Sequence, residues 1–236
     1  MTGLQMNKPK EKKRPVGRPR ADGRRHLTKI DVFRTSAKLM SVFGFTGTSV
    51  RMIAQELDCT TASIFNLFSS KKDLFDELIT FVSEAAFEFY QNLMALEPTP
   101  AEALFKSLVE DSVALTSAPV EFIALFEMPE LRHPDFGYAR SVRRKLVSHY
   151  DSIISDGIEQ GEFYECHARW MAEQMIQLIE TCIMAEDQYT RATRQQRSLE
   201  TARFGLRGML IDPDELPRIE AAAEKLDVAY MTRDLA

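Results

Sequence analysis

The sequence has few cysteines, no long apolar run and none of the short motifs that mark common enzyme sites. Three cysteines in 236 residues are too few and too scattered for a disulfide framework. No apolar stretch is long enough to span a membrane, and the basic N-terminus is not followed by the apolar segment of a signal peptide, so we expect a cytoplasmic protein without membrane contact. Glycine-rich phosphate loops, His-Glu-x-x-His, Cys-x-x-Cys and Gly-x-Ser-x-Gly are missing, and we therefore predict no enzyme activity and no cofactor or metal.

Charge is distributed unevenly along the chain. Residues 1–26 carry a net charge of +7, residues 27–74 carry +2 and residues 75–236 carry −14, which gives the total of −5. DNA would attract the N-terminal third and repel the remainder. We predict three parts with these boundaries: a disordered basic arm, a weakly basic domain and an acidic domain.

Residues 48–75 contain two short helical patterns and the start of a third. Thr48 is a candidate cap for the first helix, and Thr60 is a candidate cap for a second helix from Thr61 to Phe68. Two helices joined by a turn of three or four residues, the second presenting small polar side chains, are typical of a helix-turn-helix unit. A helix over residues 28–43 would pack behind this pair. The phenylalanines of the region are predicted to lie in the core: Phe33, Phe43, Phe45, Phe65 and Phe68.

The same region resembles the DNA-binding domain of TetR-type transcriptional regulators. The matching residues are Ala37, Phe43-Gly44-Phe45, Thr48-Ser49-Val50, Ile53-Ala54 and Ser69-Ser70-Lys71-Lys72-Asp73-Leu74. Three positions differ from the family pattern. Asp58 replaces the usual turn glycine, Phe65 replaces an aromatic residue with a hydroxyl, and Leu67 stands where histidine is common. Asp adopts left-handed backbone more readily than most residues, whereas Phe65 cannot donate the phosphate hydrogen bond of a tyrosine.

The resemblance implies an all-α protein: a three-helix helix-turn-helix domain followed by a helical ligand-binding and dimerisation domain. Double-stranded DNA with a palindromic operator is the expected partner, because one short reading helix covers only a half-site and a homodimer covers two. The residues predicted to face bases are Thr61, Ala62, Ser63 and Asn66, of which Asn66 suits adenine. Phosphate contacts are predicted for Thr48, Arg51, Thr60 and Lys71.

The basic arm contains a segment, Pro15-Val16-Gly17-Arg18-Pro19-Arg20, that resembles an AT-hook. Arg18 and Arg20 would enter a narrow A·T-rich minor groove, where the negative potential is strong. The alternative is a solvated tail that binds phosphates without sequence preference.

Beyond Lys71 the periodicity predicts helices nearly throughout, at residues 71–96, 101–116, 119–127, 138–160, 165–189, 193–209 and 213–229. Segments 165–189 and 193–209 are predicted to form the dimer face, with an intramolecular core as the rival explanation for their apolar positions. These positions are Met171, Met175, Leu178, Cys182, Leu199, Phe204, Leu206 and Met209.

Bulky, adaptable side chains in the acidic domain are candidates for a pocket that holds a largely apolar effector, although each is also an ordinary core residue. They are Phe122, Phe126, Met128, Trp170, Met171 and Met175. The predicted function is a dimeric, sequence-specific regulator, most simply a repressor released by a small molecule. The alternatives are an architectural protein of A·T-rich DNA and a redox-responsive regulator acting through Cys59, Cys166 or Cys182.

Overall fold

A computed structural model describes residues 27–126, 128–182 and 191–230. These residues form ten α-helices and two 3₁₀ helices, and their only β-type pairing is an isolated bridge between Phe163 and Leu210. The α-helices are α1 (Lys29–Gly47), α2 (Val50–Glu56), α3 (Thr61–Phe65), α4 (Lys71–Met94), α5 (Pro100–Ser117), α6 (Val120–Phe126), α7 (Gly137–Glu159), α8 (Ala168–Glu180), α9 (Arg191–Arg207) and α10 (Leu216–Ala223). The 3₁₀ helices are Pro129–Leu131 and Pro213–Glu215. The all-α prediction is confirmed.

Helix boundaries follow local capping signals. At α1 the Thr28 hydroxyl accepts a hydrogen bond from the Asp31 backbone N–H, and the Asp31 carboxylate accepts one from the Thr28 N–H at 2.9 Å. Thr99 and Glu102 make the same reciprocal pair at the start of α5. Such pairs satisfy backbone donors that a helix start leaves free, and each cap stabilises its helix by about 1 kcal/mol.

Two predicted helices are shorter in the structure than in the sequence pattern. Segment 165–189 gives α8, which ends at Glu180, and residues 183–190 lie outside the described part of the chain. Segment 213–229 gives a 3₁₀ turn and then α10, after which the chain continues without regular structure to Tyr230. Helix α1 is longer than expected because it continues past Gly44, whose φ of 69° breaks the helical geometry locally.

Helix α6 packs against the helices of the predicted DNA-binding domain. The core beneath α1 to α4 includes side chains of α6 and of the segment after it, among them Phe122, Leu125, Met128 and Leu131. Helix α4 is continuous across residue 74, so the boundary at that position between the DNA-binding domain (the reader, residues 27–74) and the acidic domain (the body, residues 75–236) stays a prediction. The core shared across this boundary packs α6 directly against the DNA-binding helices.

A second core lies between α5, α7, α8, α9 and α10. Helix α5 is at its centre, with Leu104 and Leu108 buried. Close packing here requires a glycine, because a Cβ at Gly157 of α7 would lie 2.2 Å from Cδ2 of Phe163. Within the described residues, no helix has both the length and the apolar character needed to cross a membrane.

Candidate DNA-reading surface and effector cavity

Helices α2 and α3 form a compact helix-turn-helix unit. Ser49, not Thr48, caps α2: its side chain accepts a hydrogen bond from the Met52 N–H at 3.2 Å. The predicted Thr48 cap is therefore wrong by one residue. In the turn, Asp58 has a φ of 47°, so it takes the left-handed conformation expected of the residue at this family glycine position.

Helix α3 presents a small polar surface. Thr60 caps it by accepting a hydrogen bond from the Ser63 N–H at 3.1 Å, as predicted. The helix ends at Phe65 rather than at Phe68, with Asn66 at its C-cap. Thr61, Ala62 and Asn66 are exposed, and Ser63 is partly exposed. The residues predicted to face bases thus lie on or directly after one short helix, with side chains available to a ligand.

The predicted phosphate contacts fall into two groups. Arg51 and Thr60 are exposed and near the reading helix in sequence. Thr48, in contrast, is only 1% exposed, and its hydroxyl donates to the carbonyl oxygen of Gly44 at 2.8 Å. The Thr48 hydroxyl is already used inside the protein and is not presented to a phosphate.

Lys71 also has an internal role that its sequence pattern did not reveal. Its Nζ donates to the carbonyl oxygens of Phe45 at 2.8 Å and Thr48 at 2.9 Å, and lies 4.1 Å from the centroid of the Phe45 ring. Partial burial lowers the pKa of its ammonium. Lys71 therefore ties the start of α4 to the segment between α1 and α2, and at most one of its three donors is left for a phosphate.

Two aromatic residues predicted to be core are at the surface instead. Phe65 is 50% exposed and Phe43 is 52% exposed, whereas Phe33 and Phe68 are buried. Phe65 is the last residue of α3, so its ring lies beside the candidate base-reading side chains. Helical periodicity missed it because a helix of five residues is too short for the apolar side to be assigned from spacing. Arg18 and Arg20 lie outside the described residues.

A cavity of about 390 Å³ lies between α4, α5, α6, α7 and α8, with a wall contributed by Tyr230. Its surface is mainly apolar, and six aromatic side chains line it: Phe81, Tyr90, Phe122, Phe126, Tyr150 and Tyr230. Two of them, Phe122 and Phe126, also pack in or against the core beneath the DNA-binding helices. The cavity and the reader therefore share side chains on α6.

Only two of the six sequence-predicted pocket residues line this cavity, namely Phe122 and Phe126. Met128 is buried in the reader core, Met171 and Met175 pack with the body core, and Trp170 is 66% exposed with its ring stacked on His167. The structure places these four away from the cavity because size and flexibility do not determine which side of a helix a residue occupies.

The polar end of the cavity is built around Asp111. Its carboxylate accepts hydrogen bonds from the hydroxyls of Tyr90 at 2.7 Å, Tyr150 at 2.5 Å and Tyr230. Burial raises the pKa of Asp111 to about 6, although the three hydroxyl donors oppose that shift. Sequence reasoning missed this cluster, since its four members come from α4, α5, α7 and the segment after α10.

A buried histidine, His149, packs against the Asp111 cluster. The His149 ring stacks on Tyr90 with 3.7 Å between ring centroids, and its Nε2 lies 2.9 Å from the Ser107 hydroxyl. Burial lowers the pKa of His149 to about 3. His149 is therefore neutral near neutral pH and acts as a packing and hydrogen-bonding group.

The three cysteines are not in environments that activate thiols. Burial raises the pKa of Cys59 and of Cys166, which reduces the thiolate fraction that reacts with oxidants. Cys182 is buried, with its sulfur 3.2 Å from the Thr201 hydroxyl. These environments give no support to the redox alternative.

The fold and the reading surface define a helix-turn-helix DNA-binding domain joined to a helical body. Residues 32–78 match the model of the family described as bacterial regulatory proteins, tetR family. No curated protein sequence matches the chain significantly.

Solved structures share this architecture at low sequence identity. The ketosteroid transcriptional regulator KstR2 of Mycobacterium tuberculosis has a TM-score of 0.62 and 18% identity, covering 82% of this chain and 100% of its own. AmtR of Mycobacterium smegmatis has a TM-score of 0.61 and 23% identity over 87% and 97% of the two chains. AibR, solved with isovaleryl coenzyme A and operator DNA, has a TM-score of 0.62 and 15% identity over 75% and 97%. Residues 32–78 are therefore similar to the DNA-binding domain of the tetR family, and the chain as a whole shares the fold of these solved regulators.

Proposed function

We propose that the protein is a dimeric repressor that binds a palindromic operator and is released from it by a small molecule in the α4–α8 cavity. The observation that carries this proposal is the set of exposed small and polar side chains on the reading helix, Thr61, Ala62 and Asn66. Such side chains fit the floor of a major groove, where Asn can make paired hydrogen bonds to adenine. Arg51 and Thr60 would position the phosphates, and Arg18 and Arg20 would add minor-groove contacts.

Dimerisation is supported by large apolar side chains left at the surface of the last long helices. Trp170 on α8 is 66% exposed and Phe204 on α9 is 74% exposed, and Ile211 just beyond α9 is also exposed. Burying each of them in a partner would contribute about 1.5 to 3 kcal/mol. The buried members of the predicted face, Met175, Leu206 and Met209, serve the core of one protomer instead.

Effector response is supported by the double role of α6. Phe122 and Phe126 line the cavity and also pack against the reader, so a ligand that moves α6 would move the helices that hold α3. The ligand can shift this equilibrium only by its differential affinity for the two arrangements. AibR, a structural neighbour, binds both operator DNA and isovaleryl coenzyme A. We propose that this chain likewise responds to a small molecule as well as to operator DNA, and its mainly apolar cavity favours a largely apolar effector.

Selection of bound sequences from a random DNA pool, with the full chain at near-physiological salt, tests the DNA-binding part. We expect a palindrome with half-sites about one helical turn apart. Recovery of loosely A·T-rich DNA alone would replace this proposal with the architectural alternative. Mass measurement of the protein in solution tests the dimer, and the variant Phe204→Ser should shift it toward monomer, whereas Val42→Ser, which changes an exposed residue on α1, should not.

A further inference from the structure

The effector cavity contains a buried carboxylate, Asp111, whose hydrogen-bonding partners indicate its protonation state. Asp111 accepts hydroxyl hydrogen bonds from Tyr90, Tyr150 and Tyr230, which belong to three separate parts of the chain. A protonated carboxyl would have to use one oxygen as a donor, whereas an ionised one accepts all three. The arrangement therefore suits the charged form of Asp111.

This negative charge has no cationic partner among the side chains that the structure describes. The wall has two other charged residues in the described part of the chain, Arg143 and Glu180, and these pair with each other at 3.2 Å. The described wall consequently carries one net negative charge at the end where its polar groups converge. Each tyrosine that donates to Asp111 keeps lone pairs on its own oxygen, so this end is rich in acceptors and poor in free donors.

The rest of the cavity surface is apolar and aromatic. Phe81, Phe122 and Phe126 add ring surfaces to those of the three tyrosines. Aromatic faces attract cations because their π-electrons are negative, and this attraction strengthens when the cation is desolvated. An apolar body would fill the aliphatic and aromatic part of the cavity.

We propose that the effector is an amphiphilic organic cation, a protonated or quaternary amine on a hydrophobic body, with Asp111 as its counter-ion. This inference rests on the proposed effector-responsive function and specifies the chemical class of its ligand. An anionic head group at the same position would face the Asp111 carboxylate, and Arg143 is already engaged by Glu180.

Calorimetric titration of the full chain with three probes of equal chain length tests the ligand class. The probes are decyltrimethylammonium below its micelle concentration, 1-decanol and decanoate. We expect the cation to bind more tightly than the alcohol and the alcohol more tightly than the anion. Asp111→Asn should weaken binding of the cation at least about tenfold and leave binding of the alcohol nearly unchanged.

Glu110→Gln is the matched control for Asp111→Asn. Glu110 precedes Asp111 on α5 but pairs with Lys106 at 3.1 Å and does not line the cavity. Like Asp111→Asn, Glu110→Gln removes one negative charge from α5. Tighter binding of decanoate than of decyltrimethylammonium, or equal losses of cation affinity in the two variants, would overturn the inference.

A pH titration of the wild-type protein keeps the inference testable if Asp111→Asn does not fold. The charge of decyltrimethylammonium is fixed, so its affinity should fall as Asp111 protonates near pH 6, while that of 1-decanol stays constant. A pH-independent affinity for the cation would contradict the assignment. The titratable and charged groups around Asp111 are Tyr90 on α4, Glu110 on α5, Arg143, His149 and Tyr150 on α7, Glu180 on α8, and Tyr230.

Operator release, measured with the same probes, separates this inference from the proposed function. If the alcohol or the anion binds in the cavity and releases DNA while the cation does not bind, the regulator is ligand-responsive and the cation inference is wrong. If the cation binds through Asp111 without changing operator affinity, the site is correct and the proposed release mechanism is wrong.

Discussion

At the candidate DNA-reading surface the polar side chains are exposed, whereas around the cavity the buried ionisable side chains contact one another. Thr61 and Asn66 contact solvent at the surface of a helix. Asp111, His149 and the three tyrosines form a connected buried group. An exposed polar side chain costs little to keep and is free to contact a partner, while a buried one must be satisfied within the fold.

Because of this difference, we expect the two regions to respond differently to pH and to substitution. Changes at the reading surface should alter DNA binding with little effect on folding. Changes in the buried group should alter the free energy of unfolding, because that group couples protonation to stability. Each of the following experiments tests this separation.

The largest effect is expected at His149. Its pKa is about 3 in the folded protein and 6.5 in its ordinary state, so the native state prefers the neutral ring. This contribution to stability is present above pH 6.5 and is lost as the pH falls toward 3. Between about pH 7 and about pH 4, wild type should therefore lose about 3 kcal/mol more of its unfolding free energy than His149→Gln loses.

Chemical denaturation at a fixed protein concentration measures the His149 effect, because the proposed dimerisation would make stability depend on concentration. His133→Gln, which changes an exposed histidine before α7, is the control. Parallel pH profiles for wild type and His149→Gln would show that the ring is not held neutral by burial.

The contribution of Asp111 to stability should change with pH in the opposite direction to that of His149. Burial raises its pKa from 3.8 to about 6, so the folded state holds the proton more tightly than the unfolded state. Its stabilising contribution is full below pH 3.8 and is lost as the pH rises through 6. Between about pH 4 and about pH 7 the loss from this group is about 2 kcal/mol, and Asp111→Asn should abolish it.

Denaturation of Asp111→Asn beside Glu110→Gln measures this contribution. Both variants lose one negative charge from α5, but only Asp111→Asn removes the buried titrating carboxyl, because Glu110 is a minor influence on its pKa. Identical slopes of stability against pH in the two variants would mean that Asp111 is solvated in the folded protein.

The sequence predicted the helix-turn-helix unit much better than the cavity, for a physical reason. The helix-turn-helix unit is local: Thr60 caps the helix that carries Thr61 and Asn66, all within seven residues. The cavity is assembled from residues between Phe81 and Tyr230, and no periodicity within one helix relates Asp111 to its three tyrosines. Phe122 and Phe126 were found because of their size, and Asp111 was missed because charged residues are usually exposed.

Lys71 belongs to the predicted DNA-binding domain, yet its ammonium is hydrogen-bonded inside the protein. The sequence pattern assigns it to phosphate binding, whereas its Nζ holds the carbonyl oxygens of Phe45 and Thr48. Lys71→Met keeps the apolar stem and removes both charge-assisted hydrogen bonds, so it should destabilise the protein by about 1 to 2 kcal/mol. Thermal and chemical unfolding measure this loss.

Lys72→Met is the control for Lys71. Its ammonium pairs with Asp76 one turn along α4, with much of the lysine side chain exposed, and such pairs contribute about 0.3 to 0.5 kcal/mol. If the two variants are equally stable, the internal hydrogen bonds of Lys71 contribute nothing and the residue is free to bind phosphate.

Asn66 tests the reading surface itself. Asn66→Ala should relax the preference at one base position of each half-site, by about 1 kcal/mol or somewhat more, without changing the unfolding free energy. Arg51→Ala should instead weaken binding to all sequences alike and reduce the slope of log affinity against log salt by about 1. Binding to a set of single-base operator variants at two salt concentrations distinguishes them. Equal loss of specificity in both variants would contradict the assigned roles.

Phe65→Ala is also expected to have little effect on folding, and it tests directly whether the exposed ring contributes to DNA binding. Because its ring is half exposed at the end of α3, Phe65→Ala should change the free energy of unfolding by no more than about 0.5 kcal/mol. Phe68→Ala, only three residues away but 2% exposed, should cost about 3 to 5 kcal/mol. Operator affinity should nevertheless fall for Phe65→Ala, since the ring can contact a thymine methyl group beside the base-reading side chains. If operator affinity is unchanged and the variant loses much of its stability, Phe65 is a core residue, as the sequence pattern predicted.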